Sequence, residues 1–236
     1  MTANETNMKT STRTTKQVLI VTTSHAQKGS TGQATGAYVS EVSHPFDVFT
    51  AAGWQVAFAS IAGGVVPLDG TDIDDGSVRA FLDNNEAMAK LNSSTAIADV
   101  DVGAYDAIFL AGGHGTMWDF PNSIALSTAV GRVYDNGGVV GAVCHGPAGL
   151  INAKVSGGGW LVDGKAMAAF SNDEERAVGL AAVVPVLLQD ALTAHGARVQ
   201  PAANWQVHVV TDGKLVTGQN PASAKGVAEA MVVAAR

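Results

Sequence analysis

Short apolar runs of strand length recur along this chain, and a stretch of helical spacing follows most of them. Gln17–Thr23, Gln55–Ser60, Ala107–Ala111 and Val139–Val143 are built largely from Val, Ala, Ile and Phe. Runs of this kind suit strands covered on both faces, the condition of a parallel sheet between helices. Tyr38–Ala52 places Val39, Val42, Phe46 and Phe49 at helical spacing and ends at Gly53, with Pro45 in a first turn or at a kink. Gly29–Gly36 and Gly63–Ser77 read as loops, the second followed by short helical pieces through Asn92. Ser123–Asn136 reads as a helix closed by Gly137-Gly138, Asp173–His195 as a helical stretch broken or bent at Pro185, and Pro221–Ala235 as a closing helix. Asp163-Gly164 and Asp212-Gly213 read as hairpin turns, the first between Trp160–Val162 and Lys165–Phe170, the second between Gln206–Thr211 and Leu215–Thr217. The alternation predicts an α/β fold, a three-layer sandwich with a mostly parallel central sheet and helices on both faces. Ligands on such sheets bind beyond the carboxyl ends of the strands.

With 236 residues, 47% of them hydrophobic and only 15% charged, the chain can bury a sizeable core. No internal repeat or long linker divides it, so residues 16–236 are expected to form one domain. Residues 1–15, rich in Thr, Ser and Asn, read as a disordered tail. A net charge of −7 argues against a nucleic-acid partner and suits the handling of small molecules. No apolar stretch reaches membrane-spanning length and no secretory apolar region is visible, so no membrane partner and a cytoplasmic location are expected.

Cys144 is the single cysteine, which excludes an intramolecular disulfide. It stands at the end of the apolar run Val139–Val143, directly before His145-Gly146-Pro147. Ala142 and Gly146, two positions to either side, have the small size that a sharp strand-to-helix elbow needs. Such an elbow lifts the sulfur above the sheet edge, where the next helix N-terminus favours thiolate. An apparent pKa below that of a free thiol is therefore expected. A buried structural cysteine is the plainer reading, but an apolar core position does not call for His, Gly and Pro immediately after it.

Three other loops at strand ends carry chemistry. Gly112-Gly113-His114-Gly115 lets backbone N–H groups approach a ligand, as in an oxyanion hole, or forms a simple tight turn. The Phe170–Glu175 segment offers a carboxylate to orient the His145 imidazole; it also reads as a helix start, with Asn172 or Asp173 as N-cap. Both readings can hold together. Glu41, early in the first helix, taken alone reads as a solvated charge. His25, His44, His195 and His208 show no metal-ligand spacing, and no metal is expected. His195 before Gly196 reads as a helix C-cap, while His25 and His44 are candidates to line a pocket.

Taken together, these segments resemble the PfpI-type superfamily, which includes the Parkinsonism-associated deglycase and the class I glutamine amidotransferase-like fold. The nearest likeness is to its heat-shock chaperone-like branch with glyoxalase III activity. The matching segments are residues 36–64, 109–115, 141–147 and 164–175, with Thr217-Gly218-Gln219-Asn220-Pro221-Ala222-Ser223 inside residues 215–224. The resemblance implies a flavodoxin-like sandwich. It also implies a triad of Cys144, His145 and an acid, with Glu41 touching the cysteine. Counting from Phe170 places the acid at Glu175, beside Glu174 and Asp173. Backbone N–H groups near Gly113 and His145 would form the oxyanion hole, with Gly112 and His114 beside them.

The function so implied is cofactor-independent conversion of methylglyoxal-like 2-oxoaldehydes to 2-hydroxy acids, with His145 or Glu41 as the base. The same nucleophile would serve a cysteine amidase or peptidase. A stress-related holdase chaperone or thiol oxidation sensor is the non-enzymatic alternative. Relatives are often dimers, and a homodimer is expected.

Overall fold

The computed structural model describes residues 15–236. The expected disordered tail, save for its last residue, lies outside them. From the start of the described chain come β1 (Gln17–Thr22), β2 (Ala37–Tyr38), α1 (Ser40–Ala51), β3 (Gln55–Ser60), β4 (Leu68–Asp69), α2 (Gly76–Leu82) and α3 (Asn85–Asn92). The middle holds β5 (Thr95–Ala96), β6 (Ala107–Leu110), α4 (Thr116–Asp119), α5 (Ile124–Asp135) and β7 (Val139–Val143). After a 3₁₀ turn at Gly146–Leu150 follow β8 (Ala166–Met167), α6 (Asn172–Ala177), α7 (Leu188–Ala194), β9 (Arg198–Val199), β10 (Val209–Asp212), β11 (Leu215–Gly218) and α8 (Ala224–Ala234).

Seven strands form one sheet in the order β10-β11-β7-β6-β1-β3-β5. Every neighbouring pair is parallel except β10 and β11, the hairpin around Asp212-Gly213. Val18 to Val21, Ala107 to Leu110 and all of β7 are buried, as strands covered on both faces must be. Helices α1 and α8 pack together on one face and α5 lies against β6 and β7 on the other. Parallel strands bring β1, β6, β7 and β11 to one edge by their carboxyl ends, so the loops after them converge there. Gln27, Gly113 and Cys144, though far apart in sequence, all belong to such loops.

Two expectations need correction, and a third feature is placed. Asp163-Gly164 is a turn, with Gly164 at φ +69°, but it does not reverse a strand. The Gly164 N–H is donated to the Gly196 carbonyl. This docks the turn on the end of α7, and β8 then pairs in parallel with β9. Trp160 makes only an isolated bridge to Lys154. The 173–195 stretch is two short helices, α6 and α7. Gly179, at φ +75°, ends the first well before Pro185 is reached. Pro45 sits in the second turn of α1, inside the helix, where it removes the N–H that would have bonded to the Glu41 carbonyl.

Candidate active site

Cys144 closes β7 in the left-handed region, at φ +57°. That conformation costs a non-glycine residue about 1–2 kcal/mol and persists only where its surroundings fix it. Here the Cys144 N–H is donated to the Gly218 carbonyl at 2.9 Å, and the Cys144 carbonyl accepts the Phe170 N–H at 2.9 Å. The elbow is thus clamped between β11 and the 170–175 segment, and the sulfur faces a cleft of about 380 Å³. Tyr38, Glu41, Gly113, His114, Phe170 and Trp205 are among its lining residues. A larger cleft, about 540 Å³, lies where β1 and β3 begin, near Gln17 and Gln55, and is lined by neither cysteine nor histidine.

His145 is fully buried, with Nε2 2.8 Å from a Glu175 oxygen and Nδ1 3.4 Å from the Cys144 sulfur. Glu175 also accepts from His114 Nε2 at 3.1 Å. Burial alone would raise the Glu175 carboxyl, but hydrogen bonds from His114 and His145 bring it down to about 2. Glu175 is therefore a carboxylate and can only accept, so His145 Nε2 carries the proton and Nδ1 turns its lone pair toward the sulfur. Burial, then the neighbouring His114, lowers His145 to about 4, so the imidazole is neutral at pH 7. The ligating atoms of His114, His145 and Glu175 lie within 4.8 Å of one another, a spacing a divalent cation could use. In this structure hydrogen bonds already link them.

Glu41 lies beside Cys144 from the first turn of α1 and is fully buried. Burial raises its carboxyl to about 8, although hydrogen bonds from Cys144 and the Gly112 N–H pull the other way. The Gly112 N–H reaches Glu41 Oε2 at 2.9 Å. Gly112, expected with the substrate-binding groups, thus holds the acid. Glu41 Oε1 is buried with no hydrogen-bond partner. The expected low thiol pKa is not found. Burial pushes Cys144 up, Glu41 adds to this, and the N–H groups of His145 and Gly113 oppose it. Behind the elbow stands only a five-residue 3₁₀ turn, too short for the strong helix N-terminus the sequence suggested.

The Gly113 and His145 N–H groups both act on the sulfur. Gly113 takes φ +100°, and a Cβ there would collide with the Gly36 carbonyl oxygen, so no other residue fits this approach. Thr116 Oγ1, 2.9 Å from Gly113 O and 3.1 Å from His145 O, ties the two loops together. Thr116, Tyr38 and Trp205 were missed by sequence reasoning; none sits in a recognisable motif.

The 170–175 segment starts a helix, with the cap at Ser171 instead of Asn172 or Asp173. Ser171 and Glu174 form a capping box, and Glu175, one residue on, meets His145. His44 pairs with Asp75 at 3.0 Å, and His25 stacks on Trp118, so neither lines the cleft. His195 caps α7 as expected, its Nδ1 2.8 Å from the Ala191 carbonyl, and His208 contacts the Gln200 carbonyl. Among the described residues no helix is long and apolar enough to cross a membrane.

Comparison with known proteins agrees with this architecture. Over 234 residues the chain is 35% identical to Glyoxalase 3 of Candida albicans, covering 92% of this chain and 98% of that protein. It is 34% identical over 231 residues to the glutathione-independent glyoxalase HSP31 of Saccharomyces cerevisiae, covering 90% and 95%. The X-ray structure of Rapid Encystment Protein 24 kDa of Francisella tularensis superposes with a TM-score of 0.91 at 40% identity, covering 94% of this chain and 99% of that one. The DJ-1/PfpI family model matches residues 33–234, and the chain belongs to that family.

Proposed function

We propose that this protein is a glutathione-independent glyoxalase that converts methylglyoxal and related 2-oxoaldehydes to 2-hydroxy acids. Cys144, His145 and Glu175 act as a triad, with Glu41 as the acid that separates this chemistry from hydrolysis. As Cys144 Sγ bonds to the aldehyde carbon, its proton passes to His145 Nδ1, whose other nitrogen is held by Glu175. The oxygen of the resulting hemithioacetal meets the N–H groups of Gly113 and His145. His145 returns the proton it took to that oxygen and, neutral again, removes the C1 proton while Glu41 protonates the C2 oxygen, giving an enediol. Return of a proton to C2 and loss of one from the C1 oxygen give a thioester. Carbon 1 is oxidised as carbon 2 is reduced, so no external oxidant enters. Water cleaves the thioester to a 2-hydroxy acid and restores the thiol.

The observation that carries this reading is Glu41 Oε1, a buried oxygen without a partner on a carboxyl held at about 8. A neutral carboxylic acid with a free O–H donor fits a proton shuttle working near pH 7. An amidase or peptidase with the same triad has no use for it. The names of the Candida and Saccharomyces relatives support the same choice. The test is incubation with methylglyoxal in the absence of glutathione while lactate is followed by NMR. Lactate formation well above the protein-free rate is expected; none above that rate rejects the proposal.

A further inference from the structure

Cys144 and Trp205 are the only non-glycine residues with positive φ among those described, and both line the same cleft. Trp205, at φ +64°, is a bulky residue in a conformation that bulky residues avoid. The residue is half exposed, at 48%, yet the side chains that hold its loop are buried completely. Glu174 Oε1 accepts the Trp205 N–H at 2.9 Å and the Asn220 Nδ2 at 2.9 Å. Asn220 Nδ2 also donates to the Gln206 carbonyl at 2.8 Å. Gln219 Oε1 accepts the Ala202 N–H at 2.7 Å, and Ser223 Oγ accepts the His208 N–H at 3.0 Å. Four buried polar side chains, three of them from the Gln219–Ser223 segment, thus fix a loop whose Trp205 side chain lines the cleft. The Trp205 ring stands 5.9 Å from Phe170, whose ring lies 4.2 Å from His145. Val178 and Leu180 extend this wall.

We propose that Trp205 is a specificity-determining residue that stacks on the substituent of the 2-oxoaldehyde remote from the reacting carbons. The favoured substrates are those with a planar apolar substituent, such as arylglyoxals. Glu174 is the positioning residue for Trp205, a different task from that of its neighbour Glu175. The proposal rests on the glyoxalase reading and adds a substrate class to it.

The test compares kcat/KM for phenylglyoxal and methylglyoxal. In Trp205→Ala the preference for phenylglyoxal, the ratio of the two kcat/KM values, falls about tenfold, through the KM for phenylglyoxal. Glu174→Gln, which leaves one acceptor oxygen where the carboxylate offers two to Ser171, Trp205 and Asn220, shifts the preference in the same direction. Combined with Trp205→Ala, it shifts the preference no further. If Glu174→Gln does not fold, Asn220→Ala takes its place in that cycle. A preference unchanged in Trp205→Ala overturns the role of Trp205. Additive shifts in the double variant overturn that of Glu174. Calorimetric binding of mandelate against lactate reads the same selection without turnover, and the mandelate preference should fall about tenfold in Trp205→Ala. Failure of the wild type to turn over either aldehyde strikes the glyoxalase reading alone. An equal binding ratio in both proteins, or no mandelate binding to wild type, overturns the selection.

Discussion

Two segments of this molecule hold a side chain in the left-handed region over one cleft, and they do so by different means. At Cys144 the sheet itself imposes the conformation: β7 ends there, with backbone hydrogen bonds to Gly218 and Phe170 on either side and buried neighbours throughout. At Trp205 the fixing groups are side chains, Glu174, Gln219, Asn220 and Ser223, reaching from other elements to an otherwise irregular loop. The first device places an atom for bond formation, which tolerates little movement. The second places a surface for contact, which tolerates more. Strain in a nucleophile is built into the sheet edge, whereas strain in a binding wall is added from outside it.

Substitutions can break the two devices separately. Cys144→Ser has the largest expected effect. A hydroxyl has no accessible anion here, so glyoxalase turnover should fall at least about 10³-fold with the melting temperature little altered. Substantial activity in a folded Ser variant would remove Cys144 from the mechanism.

Next in size is a stability effect at Glu41. Its carboxyl titrates near 4.5 when unfolded and at about 8 when folded. The folded protein therefore holds this proton more tightly, a stabilisation complete below pH 4.5 and lost as pH rises through about 8. The loss is on the order of 5 kcal/mol by pH 9. Glu41→Gln does not titrate, so urea unfolding should find it more stable than wild type at pH 9, with the gap closing toward pH 5. A gap independent of pH would mean that Glu41 is not held neutral. The smallest expected effect is Trp205→Gly. The residue is half exposed and glycine accepts positive φ freely, so the melting temperature should move by no more than about 2 °C. A drop of ten degrees would show the Trp205 loop to be a structural keystone instead of a binding wall.

The same contrast explains what the sequence discloses. The elbow is legible because its requirements are local: an apolar run, a Cys-His pair, and small residues two positions to either side. The parallel sheet follows from the two-face burial of the same runs. Nothing local marks Trp205. Pro201-Ala202-Ala203-Asn204 precedes it without a glycine to signal positive φ, and its anchors lie 31 residues upstream and 14 or more downstream. Glu41 is legible as a residue but not as a neutral acid, because its state depends on burial under loops from β6 and β7. The Asp163-Gly164 misreading has the same origin: a true turn whose partner, Gly196, is 32 residues away.

The central claim is that a neutral Glu41 beside Cys144 moves the proton that makes this site a glyoxalase. The most direct measurement is the pH dependence of kcat/KM for methylglyoxal in wild type and Glu41→Gln, without glutathione. With His145 neutral above about 4 and Glu41 protonated below about 8, the wild-type rate should be sustained between these limits and decline above about 8. Glu41→Gln should lose about 10²–10⁴-fold and show no alkaline decline governed by that group. A wild-type rate that climbs above pH 8 as the thiol ionises, with Glu41→Gln within about threefold of it, would contradict the account.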